Sequence, residues 1–294
     1  NELSRHRRRV GSRSPYDFAQ IYMKNNCHAP YSGMHKEIFT LLLQMTKQRK
    51  GRLAIAAPRG HAKSTIVRQV YVLWCVLYLK ERLVLIASNT QEQAATLLKD
   101  IKDQLKSNPL IVSDFPEICR GKKPKPWRDN RIQLPNGAMI RVYGAGQSPR
   151  GVKNNKDRPG LIIADDLENE EQAQSEEQRD KLRSWFRKTL LNTGHPYTNV
   201  VVIGTILHQD SLLANLVDPN RNSGWNGKKY KAVEKFSDNP QFWERWSSIF
   251  CRREEHEGNS DPEAAKLYFE ANREKMLEGT EVLWPEWESY YDLM

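Results

Sequence analysis

Four short runs without a single polar side chain constrain this chain more than any other feature. They are Leu53-Ala54-Ile55-Ala56-Ala57, Leu83-Val84-Leu85-Ile86-Ala87, Leu161-Ile162-Ile163-Ala164 and Val200-Val201-Val202-Ile203. A strand apolar on both faces must be covered on both faces, the condition of a central strand in a parallel sheet. The covering helices are written between the runs. Thr90-x-x-Gln93 is a capping box, and Ala94, Leu97, Leu98, Ile101 and Leu105 then share one helical face up to Asn108-Pro109. Ser175-x-x-Gln178 caps a second helix whose apolar positions are Leu182, Trp185, Phe186 and Leu190. Ile132 to Val142 alternates about Pro135-Asn136-Gly137, a hairpin signal. The pattern predicts an α/β fold, a mostly parallel sheet flanked by helices.

At 294 residues, with 38% hydrophobic and 28% charged side chains, the chain has room for one large domain and an appendage. The character changes past residue 236. Trp243, Trp246, Trp284 and Trp287 occur there without buried-strand runs, and Asp261-Pro262 opens a helix that Gly279 closes. A small helical subdomain is expected. The longest apolar run, Val70 to Leu79, is too short for a bilayer, and the first residues lack a signal-peptide pattern. Neither a membrane protein nor a secreted one is expected. Cys27, Cys75, Cys119 and Cys251 are scattered without metal spacing and read as ordinary thiols of a reducing compartment.

Lys and Arg number 46 against 36 Asp and Glu, a formal charge of +10 that favours a polyanionic partner. Two clusters carry much of the excess. Arg5, Arg7, Arg8, Arg9 and Arg13 read as a solvated basic arm over residues 1–30. Lys122, Lys123, Lys125 and Arg128 surround Trp127 in a Pro-containing loop suited to nucleic-acid phosphates.

The chemistry begins where the first strand ends. Pro58-Arg59-Gly60-His61-Ala62-Lys63-Ser64-Thr65 runs straight into a helix whose Ile66, Val67, Val70, Leu73, Trp74 and Leu77 are apolar nearly all round. Strand, tight loop, Lys-Ser-Thr and buried helix form the setting of a phosphate-binding P-loop. Backbone N–H groups and the helix N-terminus would cradle the phosphates of ATP, with Lys63 between the β- and γ-phosphates and Ser64 on Mg²⁺. The loop is irregular: Ala57 and Ala62 stand where the consensus has glycine, and its glycine is Gly60.

A second half-site lies at Leu161-Ile162-Ile163-Ala164-Asp165-Asp166, a buried strand ending in two carboxylates. The C-terminal edge of a parallel sheet is where α/β proteins bind ligands. Asp165 would hold Mg²⁺ and Asp166 would polarise the attacking water. Asn169 and Ser175 are free to cap the following helices, so the two acids are not needed for that. A third element is Gly204-Thr205, a small residue and a hydroxyl at the end of the Val200–Ile203 strand, where a γ-phosphate can be sensed.

These residues resemble the ATPase, or packaging-motor, domain of the large terminase subunit of tailed double-stranded-DNA phages. The likeness runs from about Tyr31 to Leu213. It rests on the P-loop, on Leu85-Ile86-Ala87-Ser88-Asn89-Thr90, on Gly144-Ala145-Gly146-Gln147-Ser148-Pro149-Arg150-Gly151, on Leu161 to Glu168, and on Val202-Ile203-Gly204-Thr205-Ile206-Leu207-His208. The resemblance implies a RecA-like (ASCE) P-loop NTPase fold over residues 31–235 and a helical lid or linker over 236–294. It implies that Arg59 contacts the triphosphate in cis and that Arg150 reaches a neighbouring subunit's ATP; either could supply transition-state charge. Gly204-Thr205 would couple hydrolysis to movement, and Tyr31 and His35 occupy the place of the adenine-recognition motif.

The same resemblance implies ATP and Mg²⁺ as cofactors, and double-stranded DNA, a portal protein and a small terminase subunit as partners. A homo-oligomeric ring in the cytoplasm of an infected bacterial host completes the expectation. Two departures stand out. Many relatives carry Asp-Glu where this chain has Asp165-Asp166, with Glu168 two residues on, so either Asp166 or Glu168 activates water. The residues after 240 are too few for the family's nuclease domain, so no DNA cutting is expected of this polypeptide. The alternatives are another P-loop nucleic-acid motor, such as a helicase, or a DNA-binding assembly protein that no longer hydrolyses ATP.

Overall fold

The computed structural model describes residues 2–24, 29–121, 126–149, 151–154, 156–251 and 261–294. Two compact units divide the chain, Asn1–Tyr230 and Lys231–Met294.

The first unit opens with three helices, α1 (Glu2–Gly11), α2 (Pro15–Tyr22) and α3 (Gly33–Gln48), followed by β1 (Arg52–Ala56). A π-helical turn, Thr65–Tyr71, leads directly into α4 (Val72–Leu77). Next come β2 (Leu83–Ser88), α5 (Gln91–Ser107), α6 (Pro109–Asp114), α7 (Pro116–Cys119), β3 (Trp127–Arg128), β4 (Arg131–Gln133) and β5 (Met139–Gly144). The unit continues with β6 (Leu161–Asp165), α8 (Glu170–Gln174), α9 (Glu176–Trp185), β7 (Asn199–Gly204), α10 (Leu212–Val217) and β8 (Asn226–Lys229).

All four apolar runs are strands, and they lie side by side in one eight-stranded sheet of order β3-β4-β5-β2-β6-β7-β1-β8. Pairing is parallel from β5 through β8 and antiparallel only in the β3-β4-β5 corner. This is the mostly parallel, helix-flanked sheet that the sequence predicts, and β7 separates β1, which leads into the loop 58–64, from the acid-bearing strand β6. Register aligns the functional strand ends: Ser88 lies opposite Asp165, Asp165 opposite Ile203, and Ala56 opposite Gly204. One rim of the sheet therefore carries the ends of β1, β2, β5, β6 and β7. Beneath that rim, Ala54, Leu85, Ile162, Val200 and Val202 pack with Phe186, Leu190, Leu213 and Trp225 in a closed apolar core.

The local signals act where the sequence places them. Thr90 and Ser175 accept hydrogen bonds from the backbone N–H groups of Gln93 and Gln178, and Asn169 forms a capping box with Gln172. No apolar run announces strand β8. Its Asn-Gly-Lys-Lys sequence sits on the sheet edge, where a strand needs no second apolar face.

The basic N-terminal segment is helical and only in part solvated: Arg5, Arg9 and Arg13 are exposed, but Arg7 and Arg8 are paired. Arg7 makes a two-pronged ion pair with the buried Asp114 at 2.5 and 2.7 Å, and Tyr22 donates to the same carboxylate at 3.0 Å. Arg8 pairs with Glu117 at 2.8 Å and lies over the Phe115 ring. These cations pin α1 to α6 and α7, so charge density alone is a poor guide to them.

The second unit contains β9 (Val233–Lys235), α11 (Pro240–Phe250), α12 (Pro262–Leu277), β10 (Glu281–Val282) and α13 (Tyr290–Leu293). Strands β9 and β10 pair antiparallel. Trp243, Phe269, Met276 and Tyr290 form its core, and the Trp243 indole donates to the Met276 carbonyl at 2.8 Å. Asp261 caps α12 and Gly279 follows it with φ +73°, the predicted opening and close. Among the described residues no helix is long and apolar enough to cross a membrane.

Candidate nucleotide-binding site

Strand β1 delivers the loop 58–64 to the rim of the sheet, and the Thr65–Tyr71 turn carries it into the interior. π-helical turns are uncommon and concentrate at functional sites. Gly60 has φ +79°, a conformation glycine enters freely. Ala62 has φ +49°, which is costly for a residue with a Cβ. The irregular loop thus adopts a left-handed turn at the position where the consensus has glycine.

Lys63 is 5% exposed and donates to the Pro58 carbonyl at 3.2 Å and to Thr205 Oγ1 at 3.3 Å. The Thr205 hydroxyl lies 3.3 Å from the Ala57 carbonyl, so the end of β7 is tied to the loop. Ser64 Oγ donates to Asp165 Oδ1 at 2.9 Å, joining the loop to β6. The second oxygen of Asp165 faces Arg68 Nε at 3.5 Å. Burial holds the Lys63 ammonium below its usual range, against the opposing pull of Asp166 and Asp165. Burial and the neighbouring Asp166 push the Asp165 carboxyl up to about 6, although Arg68, Ser64 and Lys63 oppose the shift. Buried groups of opposite charge that have lost their water in one cleft mark a functional-site candidate.

Arg59, Ser64, Arg68, Asp165, Asp166, Glu168 and Thr205 line one cavity of about 540 Å³. Asp166 is exposed, and its backbone is fixed at φ +44° with its N–H donating to Ile203 O at 3.0 Å. Glu168 is engaged differently. Its two carboxylate oxygens accept from the Leu212 backbone N–H at 3.1 and 3.0 Å, at the start of α10. Burial raises its carboxyl above the ordinary range despite those bonds. Arg59 reaches across the mouth to Glu170 at 2.8 Å, both side chains being largely exposed.

His35 and Tyr31 do not line this cavity. His35 is wholly buried behind the loop, 3.0 Å from the His61 carbonyl. Tyr31 packs against the rings of Tyr16, His35 and Phe39 and lines a separate cavity of about 390 Å³. Arg150, Lys122, Lys123 and Lys125 lie outside the described residues. Arg128 is exposed on β3, the outermost strand, directly across from Arg131.

Asn89, from the 85–90 motif, also lines the cavity, as do Arg68 and Glu170, which no motif identifies. Arg68 has a signal in the sequence, a lone cation within the apolar helix that follows the P-loop. Asn89 is 8% exposed and its Oδ1 has no hydrogen-bond partner among the described residues. It directly follows β2, inside the 85–90 motif.

The chain is similar to the large terminase ATPase domain of Thermus phage P74-26, in a mutant form. That match has 13% identity and a TM-score of 0.42, over 60% of this chain and 65% of that one. It is similar also to the large terminase of bacteriophage HK97, with 14% identity and a TM-score of 0.49 over 86% of this chain and 50% of that one. A third likeness is to the large terminase of another thermophilic bacteriophage, with 13% identity and a TM-score of 0.34 over 59% of this chain and 39% of that one. The chain thus spans about half the length of the HK97 protein and about two thirds of the mutant Thermus phage chain. No protein-family model and no curated protein matches the sequence.

Proposed function

We propose that this chain is a Mg²⁺-dependent ATPase that drives double-stranded viral DNA into a capsid, the motor part of a large terminase subunit. One observation carries the ATPase reading: Lys63, Ser64, Asp165 and Thr205, drawn from three strand ends, are joined by hydrogen bonds around one cleft. The packaging reading adds the order and spacing of the linked motifs and the positive charge of the chain.

The donor set fits magnesium. Ser64 Oγ and Asp165 Oδ1 are adjacent, and among the described residues no group of three His, Cys, Asp or Glu side chains forms a complete metal cage. A hydroxyl and one carboxylate suit an ion that takes its remaining ligands from phosphate and water, as Mg²⁺ does. When bound, the ion would neutralise phosphate charge. Lys63 would exchange its Pro58 carbonyl for phosphate oxygens, and the loop N–H groups would cradle the β-phosphate. Asp166 would take the proton of the attacking water; the engagement of Glu168 by the Leu212 N–H supports this choice between the two acids. As the water oxygen bonds to the γ-phosphorus, the bond to the bridging oxygen breaks and ADP leaves. Thr205 senses the γ-phosphate, and Arg59 or a neighbour's Arg150 supplies transition-state charge. A homo-oligomeric ring, the portal and small-subunit partners, and the host cytoplasm belong to this same reading.

The test is ATP turnover with duplex and with single-stranded DNA. Duplex-stimulated hydrolysis without strand separation is expected, and Lys63→Ala should lower it by about 100-fold or more at an unchanged melting temperature. Normal turnover in that variant rules out the site. Strand separation points to a helicase, and turnover absent from the wild type itself points to an assembly protein.

A further inference from the structure

His35 is completely buried, and its two ring nitrogens have different tasks. Nδ1 lies 2.9 Å from the Ser32 backbone nitrogen, whose N–H can only donate, so Nδ1 is the acceptor. The proton of the neutral ring therefore sits on Nε2, which lies 3.0 Å from the His61 carbonyl, a group that can only accept. One ring thus joins the start of α3 to the middle of the phosphate loop. His61 tightens the same turn, its Nδ1 lying 2.9 Å from the Arg59 carbonyl.

The peptide bond makes this consequential. In a planar trans peptide the carbonyl and the following N–H point in opposite directions. Holding the His61 oxygen toward His35 therefore aims the Ala62 N–H away from His35. Ala62 is also the residue held at φ +49° without glycine's freedom. We propose that His35 is a positioning residue of the phosphate loop: its Nε2–H fixes the His61–Ala62 peptide so that the Ala62 N–H is presented to the β-phosphate of a nucleotide. A tertiary hydrogen bond thereby replaces the glycine that other loops use at this point. The inference rests on the nucleotide-binding reading of the cleft and adds a residue that touches no nucleotide.

Three substitutions separate the brace from simple packing. Gln at position 35 offers an oxygen to the Ser32 N–H and an amide N–H to the His61 carbonyl. Glu can cap Ser32 equally well, but it sets an oxygen against the carbonyl and cannot donate when ionised. Leu fills space and does neither. ADP affinity measured by calorimetry at fixed Mg²⁺ should fall about tenfold in His35→Leu and at least as far in His35→Glu, with His35→Gln within about threefold of wild type. The KM for ATP should rise in the same order while kcat stays within about twofold. Melting temperatures identify any variant that fails to fold; the Gln variant and the ring tautomer then carry the test. In nucleotide-free wild type, ¹⁵N spectra should show a neutral His35 ring with its proton on Nε2. A proton on Nδ1 overturns the brace, as does ADP binding by folded His35→Leu and His35→Glu equal to wild type while Lys63→Ala binds weakly. If the wild type binds no ADP, the nucleotide reading itself has failed, and the ring tautomer still decides whether the peptide is held.

Discussion

Replacing Gly204 by alanine isolates the chemistry of the cleft from its stability. Gly204 ends β7, and a Cβ built there lies 2.9 Å from Asp166 Oδ1 and 3.2 Å from Leu213 Cδ2. The Asp166 backbone cannot yield, because its N–H is bonded to Ile203 O. Its side chain is exposed and can turn away, so the fold should lose no more than about 1 kcal/mol. The carboxylate, however, leaves the place from which it would receive a proton. A displacement of about 1 Å at a reacting group costs on the order of 100-fold, or about 2.7 kcal/mol of barrier. Steady-state hydrolysis by Gly204→Ala should therefore show kcat lowered by about 100-fold with a KM for ATP within about twofold of wild type. Gly227→Ala is the contrast. Its Cβ would lie 2.4 Å from the Val217 carbonyl oxygen, a backbone atom, so it should lower stability by about 2–3 kcal/mol and spare turnover per folded molecule. A Gly204→Ala enzyme that keeps its kcat, or loses it only in step with its unfolded fraction, refutes the placement of Asp166.

Two further outcomes follow from single residues. Ala62→Gly relieves a left-handed backbone and should raise stability by up to about 1 kcal/mol, whereas Ala62→Val should lower it by about 2 kcal/mol; a lower melting temperature for the glycine variant means that the loop does not rest in this turn. Burial raises the Asp114 carboxyl, but hydrogen bonds from Arg7, Ser4 and Tyr22 outweigh it and hold the group below the usual carboxylate range. A depressed folded value means that this stabilisation is complete above about pH 4, the unfolded range, and is lost as the pH falls through the lower folded value. Asp114→Asn should cost about 2 kcal/mol at neutral pH and remove that acid-side loss, which amide exchange in α1 and α6 will report; parallel acid profiles for the two proteins would sink the assignment.

The sheet is legible in the sequence because its information is local. A strand covered on both faces must be apolar throughout, and each of the four runs is; Thr90, Asn169 and Ser175 cap helices because their hydroxyls or amides sit one residue before the first helical turn. Polar strand β8 is not legible, since an edge strand makes no such demand. Arg7 and Arg8 mislead for a related reason. Whether a cation is solvated or paired depends on a carboxylate far along the chain, and Asp114 is more than a hundred residues from Arg7.

The site divides along the same line. Lys63, Ser64, Asp165 and Thr205 can be found because each follows or ends a strand whose apolar run announces it, and parallel pairing brings those ends to one rim. Glu168 is equally visible as an acid near the rim, yet its partner is the N-terminus of α10, which no spacing rule connects to it. That bond is what distinguishes it from Asp166, two residues away, whose carboxylate is held by no helix N-terminus among the described residues. His35 shows the limit most sharply. The resemblance implies contact with a base, and nothing in the spacing announces the contact of its buried ring with the His61 carbonyl. The Ala62 that makes the loop look degraded is the residue whose conformation that contact supports. A motif with a missing glycine can therefore remain a functioning loop when the scaffold supplies from behind the geometry that glycine would supply from within.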